Sequence, residues 1–303
     1  MNDPVYSIII PHYNCPDLLT RCLDSIPVRE DIQVLVIDDC SPGADKYMEL
    51  YPALSRPYLE FYGTPFGGSA GRARNIGLDH AKGKWIVCVD ADDLLVPDAA
   101  EILDACKDRT EDIIFHNYSV VKSDDLSTPG KRSWYRDYFK QYAVDGKEDN
   151  LRYRFDSLAG KLISRRLISE HGIRFDETRY SNDAGFSLKC GTYAKTVAVI
   201  DKVLYIVAER DGSLAASQFS GAKPSAEEYA QRLEVGLSNC RFADGHGIHA
   251  GLMPTYYACS FYNDWPGEYK QFFRSVVARQ YPQYALRLFL GVLFITVKRR
   301  LKK

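Results

Sequence analysis

Short apolar runs in the first third of the chain each end in polar or acidic residues. Three of them lie at Val5–Ile10, Val34–Ile37 and Trp85–Val89, and their length is typical of strands buried on both faces. Between them, Pro16–Ile26 and Arg72–Ala81 have the spacing of apolar positions expected of helices. Buried strands that alternate with helices predict an α/β fold with a mostly parallel, Rossmann-like sheet flanked by helices.

The same signals predict further elements along the chain. Strands are expected at Tyr58–Tyr62 and Asp112–Phe115, helices at Asp98–Lys107 and Leu158–His171, and mainly helical structure from Pro224 to Lys303. The cluster Arg179–Asp183 opens another helix, and Ser181 is a candidate for its N-cap.

Carboxylates follow two of the three strands directly. Asp38 and Asp39 end one, and Asp90 and Asp92 follow another with the two-residue spacing that puts side chains on one face of extended chain. Ligands of such sheets bind outside the carboxyl ends of the strands, so we expect these acids to meet there. Converging carboxylates favour a hard divalent cation between them. The alternative is an acidic turn that caps the helix near Pro97.

Composition describes an ordinary globular protein. The 303 residues are 46% hydrophobic and 26% charged, with a net charge of −1, which argues against general nucleic-acid binding. The eight cysteines form no C-x-x-C pair, a pattern typical of reduced thiols in a cytosolic protein. The start of the chain has no signal-peptide pattern, so secretion is not expected.

The segment Tyr284–Val297 is apolar on nearly every side, and the basic run Lys298–Lys303 follows it. About a dozen apolar residues make a helix of roughly 18 Å, which is shorter than the ~30 Å hydrocarbon core of a bilayer. The pattern predicts a helix that lies on the cytoplasmic surface of a membrane, with its cations near anionic lipids. Packing on the protein or on a second copy is the alternative, which leaves an oligomer open.

Five motifs, in order and spacing, resemble the inverting glycosyltransferases of family 2, which have the GT-A fold. They are Ser7–Asn14 (SIIIPHYN), Val36–Asp39 (VIDD), Gly71–Leu78 (GRARNIGL), Ala81–Trp85 (AKGKW) and Asp90–Asp93 (DADD). A weaker similarity continues through Gly160–Leu162 and Gly172–Glu177 to Asn182–Asp183. The combination is far more specific than any single motif. The resemblance implies transfer of a sugar from a nucleotide diphosphate.

The resemblance assigns the donor base to the first two strand ends. Pro11 and Tyr13 would line the base pocket, with the Tyr13 ring on a uracil face; a packing role for this ring is the alternative. Asp39 would accept a hydrogen bond from the base, and Asp38 would order the loop or reach the ribose.

The resemblance also implies a Mn²⁺ or Mg²⁺ cofactor at the third strand end. Asp92 would be the main metal ligand, Asp90 would contact the ribose or the metal, and Ala91 would line the donor site between them. Asp93 would bind metal or water, or cap the next element of the chain. A bound dication neutralises the charge that develops on the leaving diphosphate.

Three arginines are candidates for donor contacts by the same resemblance. Arg74 would approach the base or the diphosphate with its planar fork of donors, whereas a surface ion pair is equally expected for Arg72. Arg210, in the stretch Glu209–Leu214 with Ser213, matches a segment that lies near the diphosphate in related transferases. A plain β-turn is the alternative for that stretch.

The general base implied by the resemblance is Asp183. Family members usually carry a Glu-Asp pair here, and Asn182 replaces the Glu, which puts any role of that first acid in doubt. Deprotonation makes the acceptor hydroxyl a competent nucleophile. One displacement would then invert the anomeric centre without a covalent intermediate.

The sequence therefore predicts a metal-dependent enzyme that uses a nucleotide-sugar donor, UDP first, and a glycan or lipid-linked acceptor in cell-surface polysaccharide synthesis. Residues 1–115 would bind the donor, residues 116–222 the acceptor, and residues 223–303 would form a helical region with the membrane-surface segment. A nucleotidyltransferase of similar fold and a non-catalytic nucleotide-sugar-binding subunit are the alternatives.

Overall fold

The computed structural model describes residues 3–43, 52–131, 135–210, 223–248 and 254–300. The chain forms two compact units, Met1–Arg210 and Asp211–Lys303. The division of the first unit near residue 115 stays a prediction, and a single strand runs through that position.

The first unit is built on one sheet, whose strands in the described residues follow the order β3-β2-β1-β4-β7-β6-β8-β5. Their bounds are β1 Tyr6–His12, β2 Ile32–Asp38, β3 Leu59–Gly63, β4 Trp85–Cys88, β5 Leu94–Leu95, β6 Ile113–Lys122, β7 Lys161–Ser164 and β8 Val197–Glu209. Strands β1 to β4 pair in parallel, as do β6 and β8, whereas β5 and β7 pair antiparallel with their neighbours. This confirms the predicted α/β fold.

Helices flank the sheet. Their bounds are α1 Pro16–Ser25, α2 Ala70–His80, α3 Ala99–Cys106, α4 Arg136–Asp145, α5 Asp149–Tyr153, α6 Arg165–Glu170 and α7 Ala184–Tyr193, with a 3-10 turn at Pro52–Ser55. Helices α1, α2, α3 and α7 lie near their predicted positions, whereas α4 and α5 had no predicted counterpart. Strands β1, β2 and β4 are buried almost throughout and form the centre of the core, because helices cover both faces of a parallel sheet. The parallel order brings the ends of these three strands to one edge.

Two local predictions are wrong. The stretch Leu158–His171 is not one helix: β7 occupies Lys161–Ser164 and only α6 follows. Gly160 has φ +72° and approaches the sheet so closely that a Cβ would lie 2.3 Å from the His116 carbonyl oxygen. Pairing of β7 with β4 and β6 therefore overrides the helical pattern.

Ser181 is not the N-cap of α7. It has φ +56°, and the N-cap position belongs to Asp183, whose side chain makes no capping hydrogen bond. The long strand β8 had no counterpart in the sequence prediction.

The second unit is helical, as predicted. Its elements are α8 Ala226–Gly245, α9 Thr255–Asp264, α10 Pro266–Phe272, a π-helical turn at Phe273–Val277, α11 Ala278–Gln280 and α12 Pro282–Arg300. It has a separate apolar core, in which Leu233, Phe261 and Leu288 are fully buried. Among the described residues, no helix combines the length and the apolar character needed to cross a bilayer.

Helix α2 lies unusually close to the segment that precedes α7. A Cβ on Gly71 would lie 2.0 Å from the carbonyl oxygen of Asp176 and 3.0 Å from the Cβ of Asn182. Only a residue without a side chain permits this approach, so Gly71 fixes the distance between the two segments.

We expect Gly71→Ala to destabilise the protein by about 1–3 kcal/mol, because the new methyl group forces backbone apart in a packed region. Denaturant unfolding measures the change. Gly63→Ala is the matched control, since a Cβ there meets no atom within 4 Å. Equal stability of the two variants would contradict the close approach.

Candidate active site

The loops that follow β1 and β2 are tied to each other by hydrogen bonds. The Asp38 carboxylate accepts from His12 Nδ1 at 2.9 Å and from the Ser41 backbone N–H at 2.8 Å. His12 Nε2 accepts from the Cys15 N–H, and burial lowers the pKa of His12, so the neutral ring donates through Nδ1. Asp38 thus orders both loops in this structure.

Tyr13 lies in the first of these loops with 59% of its surface exposed. It is therefore not a core packing residue. Pro11, two positions earlier in β1, pairs with Ile37 of β2. An exposed aromatic ring next to an ordered strand end is available for stacking on a planar ligand.

Asp39 organises the glycine-rich turn before α2. Its Oδ1 accepts from the Thr64 hydroxyl at 2.9 Å, and its Oδ2 accepts from the backbone N–H groups of Gly68 and Ser69 at 2.8 Å. An acid at the start of a helix is favourable because the N-terminal N–H groups carry partial positive charge. Sequence reasoning assigned Asp39 to the base alone and missed this structural role.

Residues Asp90–Asp93 form an acidic turn after β4, and Asp93 anchors this turn to strand β8. Its carboxylate accepts from the Tyr205 hydroxyl and from the Ala208 N–H, both at 2.8 Å, while the Tyr205 oxygen accepts from the Asp90 N–H. Burial, together with the charges of Asp92 and Asp90, raises the pKa of Asp93 well above its usual range. The backbone carbonyl of Asp92 is held by Arg21 at 2.8 Å.

Asp90 and Asp92 remain accessible above this anchored turn. Their side chains are 48% and 25% exposed, whereas Asp93 is buried. One carboxylate oxygen from each of the three acids lies within 4.8 Å of the others. Two accessible carboxylates beside an anchored third fit a divalent cation that also takes oxygen ligands from water or phosphate.

Arg210 is the counter-charge of Asp92 in this cluster. Its Nε donates to Asp92 Oδ2 at 2.9 Å, and this contact raises the pKa of Arg210. Arg210 thus reaches the acidic turn, and its predicted contact with a diphosphate stays a prediction. Ser213 and the rest of the stretch to Leu214 lie outside the described residues.

Arg74 connects the acidic turn to the segment before α7. Its Nη2 donates to Asp90 Oδ1 at 2.6 Å and its Nη1 donates to Asn182 Oδ1 at 2.7 Å. Burial opposes the charge of Arg74, but the charges of Asp90 and Asp183 and the hydrogen bond to Asp90 contribute to a net rise of the Arg74 pKa. The Arg74 side chain is only 6% exposed, so the hydrogen bonds of Nη1 and Nη2 are made inside the protein. Arg72 instead makes the surface ion pair with Glu177 that the sequence left open.

Asn75, the residue after Arg74, also holds the segment before α7, because its side chain hydrogen-bonds to the backbone of Phe175. The Asn75 amide donates to the Phe175 carbonyl at 3.1 Å and accepts from the Phe175 N–H at 2.9 Å. Phe175 stacks on Phe186 of α7 with ring centroids 3.8 Å apart. Asn75 was part of the resemblance motif, but nothing in the sequence identified its partner.

Asp183 stands at the start of α7, one residue after the Arg74 partner Asn182. Burial and the Asp156 charge raise the pKa of Asp183 to about 6, and the Arg74 charge opposes the rise. A carboxyl group with a pKa near the operating pH suits proton transfer.

The buried Lys161 lies next to α7. It belongs to the stretch Gly160–Leu162 of the weaker similarity, but the sequence indicated no role for it. Lys161 of β7 donates to the Phe155 carbonyl and, at 3.2 Å, to the Ser187 hydroxyl on α7. Burial lowers the pKa of Lys161 to about 8, although the charge of Asp156 opposes this. The Asp156 carboxylate in turn accepts from the Tyr135 hydroxyl.

Comparison with known proteins gives a consistent family. The model of "Glycosyl transferase family 2" matches residues 7–172, more than half of the chain. The succinoglycan biosynthesis protein ExoO of Rhizobium meliloti is 28% identical over 222 residues, which cover 70% of this chain and 62% of ExoO. The poly(ribitol-phosphate) β-N-acetylglucosaminyltransferase TarS of Staphylococcus aureus is 25% identical over 241 residues, 76% of this chain but 39% of TarS. The chain thus spans less than two thirds of either relative.

Solved structures share the fold. TarS residues 1–349 in complex with UDP-GlcNAc superpose with a TM-score of 0.58 at 19% identity, covering 94% of this chain and 79% of that one. The mannosyltransferase PcManGT of Pyrobaculum calidifontis, in complex with GDP-Man and Mn²⁺, gives a TM-score of 0.56 at 18% identity and covers 97% and 81%. At these identities the likeness concerns the fold.

We expect Tyr205→Phe to lower the free energy of unfolding by about 1–3 kcal/mol, because Asp93 Oδ2 and the Asp90 N–H each lose their hydrogen bond to the Tyr205 hydroxyl, while Asp93 Oδ1 keeps the Ala208 N–H. Denaturant unfolding measures the loss. Tyr13→Phe, at an exposed tyrosine, is the control and should change stability by less than about 0.5 kcal/mol. A Tyr205→Phe variant as stable as the control would rule out the anchoring role.

Proposed function

The chain belongs to glycosyltransferase family 2 and has the GT-A fold, and on that premise we propose that it transfers a sugar from a nucleotide diphosphate to an acceptor hydroxyl with inversion. One observation carries the proposal: the buried guanidinium of Arg74 joins Asp90 of the acidic turn to Asn182, next to Asp183. A donor-binding acid and a candidate base thereby belong to one connected site.

UDP is the proposed carrier of the sugar. The exposed Tyr13 ring offers a stacking surface at the ordered end of β1, and Pro11 lines the same strand end. The Asp39 carboxylate has about four lone-pair positions and accepts from three protein donors, so one position on Oδ1 is left for a base N–H. TarS, whose structure was solved with UDP-GlcNAc and with UDP, supports this choice among nucleotides. The proposed acceptor is a glycan or lipid-linked sugar in cell-surface polysaccharide synthesis.

Mn²⁺ or Mg²⁺ is the proposed cofactor, with Asp92 as main ligand and Asp90 as a second contact to metal or ribose. Their exposed oxygens fit such an ion, whereas Asp93 is committed to Tyr205 and Ala208. When bound, the ion supplies positive charge opposite the leaving diphosphate. When the Arg210 side chain releases Asp92, its guanidinium can donate to the same diphosphate. Ala91 has a small side chain, which leaves room for the donor between the two ligands.

Asp183 is the proposed general base. Its carboxylate takes the proton of the acceptor hydroxyl as the acceptor oxygen bonds to the anomeric carbon. The bond from that carbon to the diphosphate oxygen breaks at the same time, and the electron pair leaves with the UDP. A single displacement of this kind inverts the anomeric centre.

The rival functions have no supporting observation. A nucleotidyltransferase would release pyrophosphate, and a binding subunit would release nothing. Release of UDP in a donor screen with and without Mn²⁺ distinguishes all three.

For location, we propose peripheral attachment to the cytoplasmic face of a membrane, where lipid-linked acceptors lie.

We expect Asp183→Asn to lower kcat by about 10²–10⁴-fold, the usual contribution of a general base. The affinity of the variant for UDP in the presence of Mn²⁺, measured by calorimetry, should equal that of the parent. The thermal midpoint of the variant at neutral pH should rise, because burial disfavours the ionised carboxylate but not the amide.

In the parent enzyme, kcat/KM should fall as the pH drops through about 6, since the base acts only when deprotonated. Asp79→Asn is the control: this exposed acid pairs with Arg174 on the protein surface, and its loss should leave turnover unchanged. Normal turnover in Asp183→Asn would assign the base elsewhere.

We expect Asp92→Asn to abolish the gain in UDP affinity that Mn²⁺ provides, as measured by calorimetry with and without chelator. Arg210→Ala should bind Mn²⁺ alone about two- to fivefold more tightly, because an exposed ion pair of about 0.5–1 kcal/mol no longer competes. The same variant should turn over more slowly.

Lys140→Ala is the control for Arg210→Ala, since Lys140 forms only an exposed pair with Asp137. The metal proposal fails when UDP binds equally well after chelation and in Asp92→Asn.

A further inference from the structure

Helix α12 carries a continuous apolar stripe on its outer face. The stripe consists of six large side chains that are 47–69% exposed: Leu286, Phe289, Leu290, Leu293, Phe294 and Val297. Their spacing of three and four residues puts them on one face over three turns, about 16 Å of helix. Monomeric proteins rarely leave so many large apolar side chains together in water.

The opposite face of α12 already has a partner. Tyr284, Leu288 and Val292 are buried in the core of the second unit, beside residues of α8 and α9. A methyl group on Gly291 would lie 2.5 Å from the Thr255 side chain, so this face packs tightly on α9. The stripe is therefore not needed for folding of the unit, and its apolar character over three turns calls for an external partner.

The charge around the stripe identifies the partner. Arg287 and Lys298 each follow a stripe residue by one position and are eleven residues apart, so both lie along the same border of the stripe. From Tyr269 to Lys303 the sequence has nine lysines and arginines and no aspartate or glutamate. Asp244 of α8 contacts this helix, but its carboxylate is hydrogen-bonded by Tyr284 on the covered face. An apolar strip whose own helix carries cations and no acid is complementary to the surface of an anionic bilayer.

A second copy of the same helix fits less well. In a two-fold pairing of the stripes, the cationic borders of both copies would meet the same interface, and α12 itself contributes no acid to neutralise them. Anionic headgroups supply that missing charge.

We propose that the α12 stripe enters the boundary between headgroups and acyl chains of an anionic membrane, with Arg287 and Lys298 on the lipid phosphates. This inference rests on the proposed function only in that it brings the enzyme to a lipid-linked acceptor. Membrane binding itself needs no transfer step.

Flotation of the full chain with vesicles tests the inference. The protein should bind vesicles of phosphatidylcholine that contain phosphatidylglycerol, and bind those of phosphatidylcholine alone much less. The double variant Phe289→Ser with Phe294→Ser should lose about tenfold or more in partitioning, because two aromatic rings no longer leave water. Arg287→Gln with Lys298→Gln should lose about fivefold per charge at low salt.

Tyr256→Ser is the matched control, since Tyr256 is an exposed aromatic residue on α9 outside the stripe. The Tyr256→Ser variant should bind vesicles like the parent. The thermal midpoints of all three variants should equal that of the parent, because the five substituted side chains lie at the surface. The inference is overturned when the parent binds neither kind of vesicle, or when the Phe289/Phe294 variant binds the anionic vesicles as well as the parent does. It is also overturned when that variant only changes the oligomeric state in size-exclusion chromatography.

UDP release in vesicle-free solution keeps the two proposals separate. An active enzyme that does not bind vesicles contradicts only the membrane surface. Vesicle binding without UDP release under any donor contradicts only the proposed function.

Discussion

The buried guanidinium of Arg74 is the contact around which the candidate site is organised. A charged group inside a protein needs an opposite charge and hydrogen-bond acceptors nearby, because the loss of hydration is otherwise unfavourable. Arg74 finds one such partner at the end of β4, in Asp90, and another before α7, in Asn182. The planar fork holds both at fixed distances, which a flexible lysine could not do. The acidic turn and the helix that carries Asp183 are thus positioned by one side chain.

The surrounding contacts explain why this arrangement is rigid. Gly71 permits the close approach of α2, and Asn75 clamps the backbone of Phe175 from the same helix. On the other side, Asp93 and Tyr205 hold the acidic turn from β8. Asp90 and Asp92 are then the members of the cluster that stay exposed. Rigid supports below accessible ligands are the usual way to keep a binding site preorganised.

The sequence predicted those features that depend on local pattern. Strands β1, β2 and β4, helix α2 and the placing of acids at the strand ends follow from apolar runs and from the geometry of parallel sheets. Among the described residues, the close carboxylate cluster comprises Asp90, Asp92 and Asp93, and the meeting of Asp38 and Asp39 with these acids stays a prediction. Partnerships across the chain were beyond it: Arg74 with Asn182 and Asp93 with Tyr205 are each more than a hundred residues apart. Strand β7 was mistaken for helix because its four residues form a strand only through their neighbours in the sheet. The apolar character of α12 was visible in the sequence, but which of its faces is covered depends on the packing of α8 and α9.

The link between Asp93 and Tyr205 also has a consequence for the order in which the molecule is assembled. The acidic turn follows the fourth strand, yet its anchor arrives 112 positions later in the chain. Contacts of such long sequence separation form late, because a large loop must close before they can be made. During synthesis, the turn therefore stays without its final support until β8 has left the ribosome. The proposed cation site is accordingly incomplete in a nascent or truncated chain that ends before this strand.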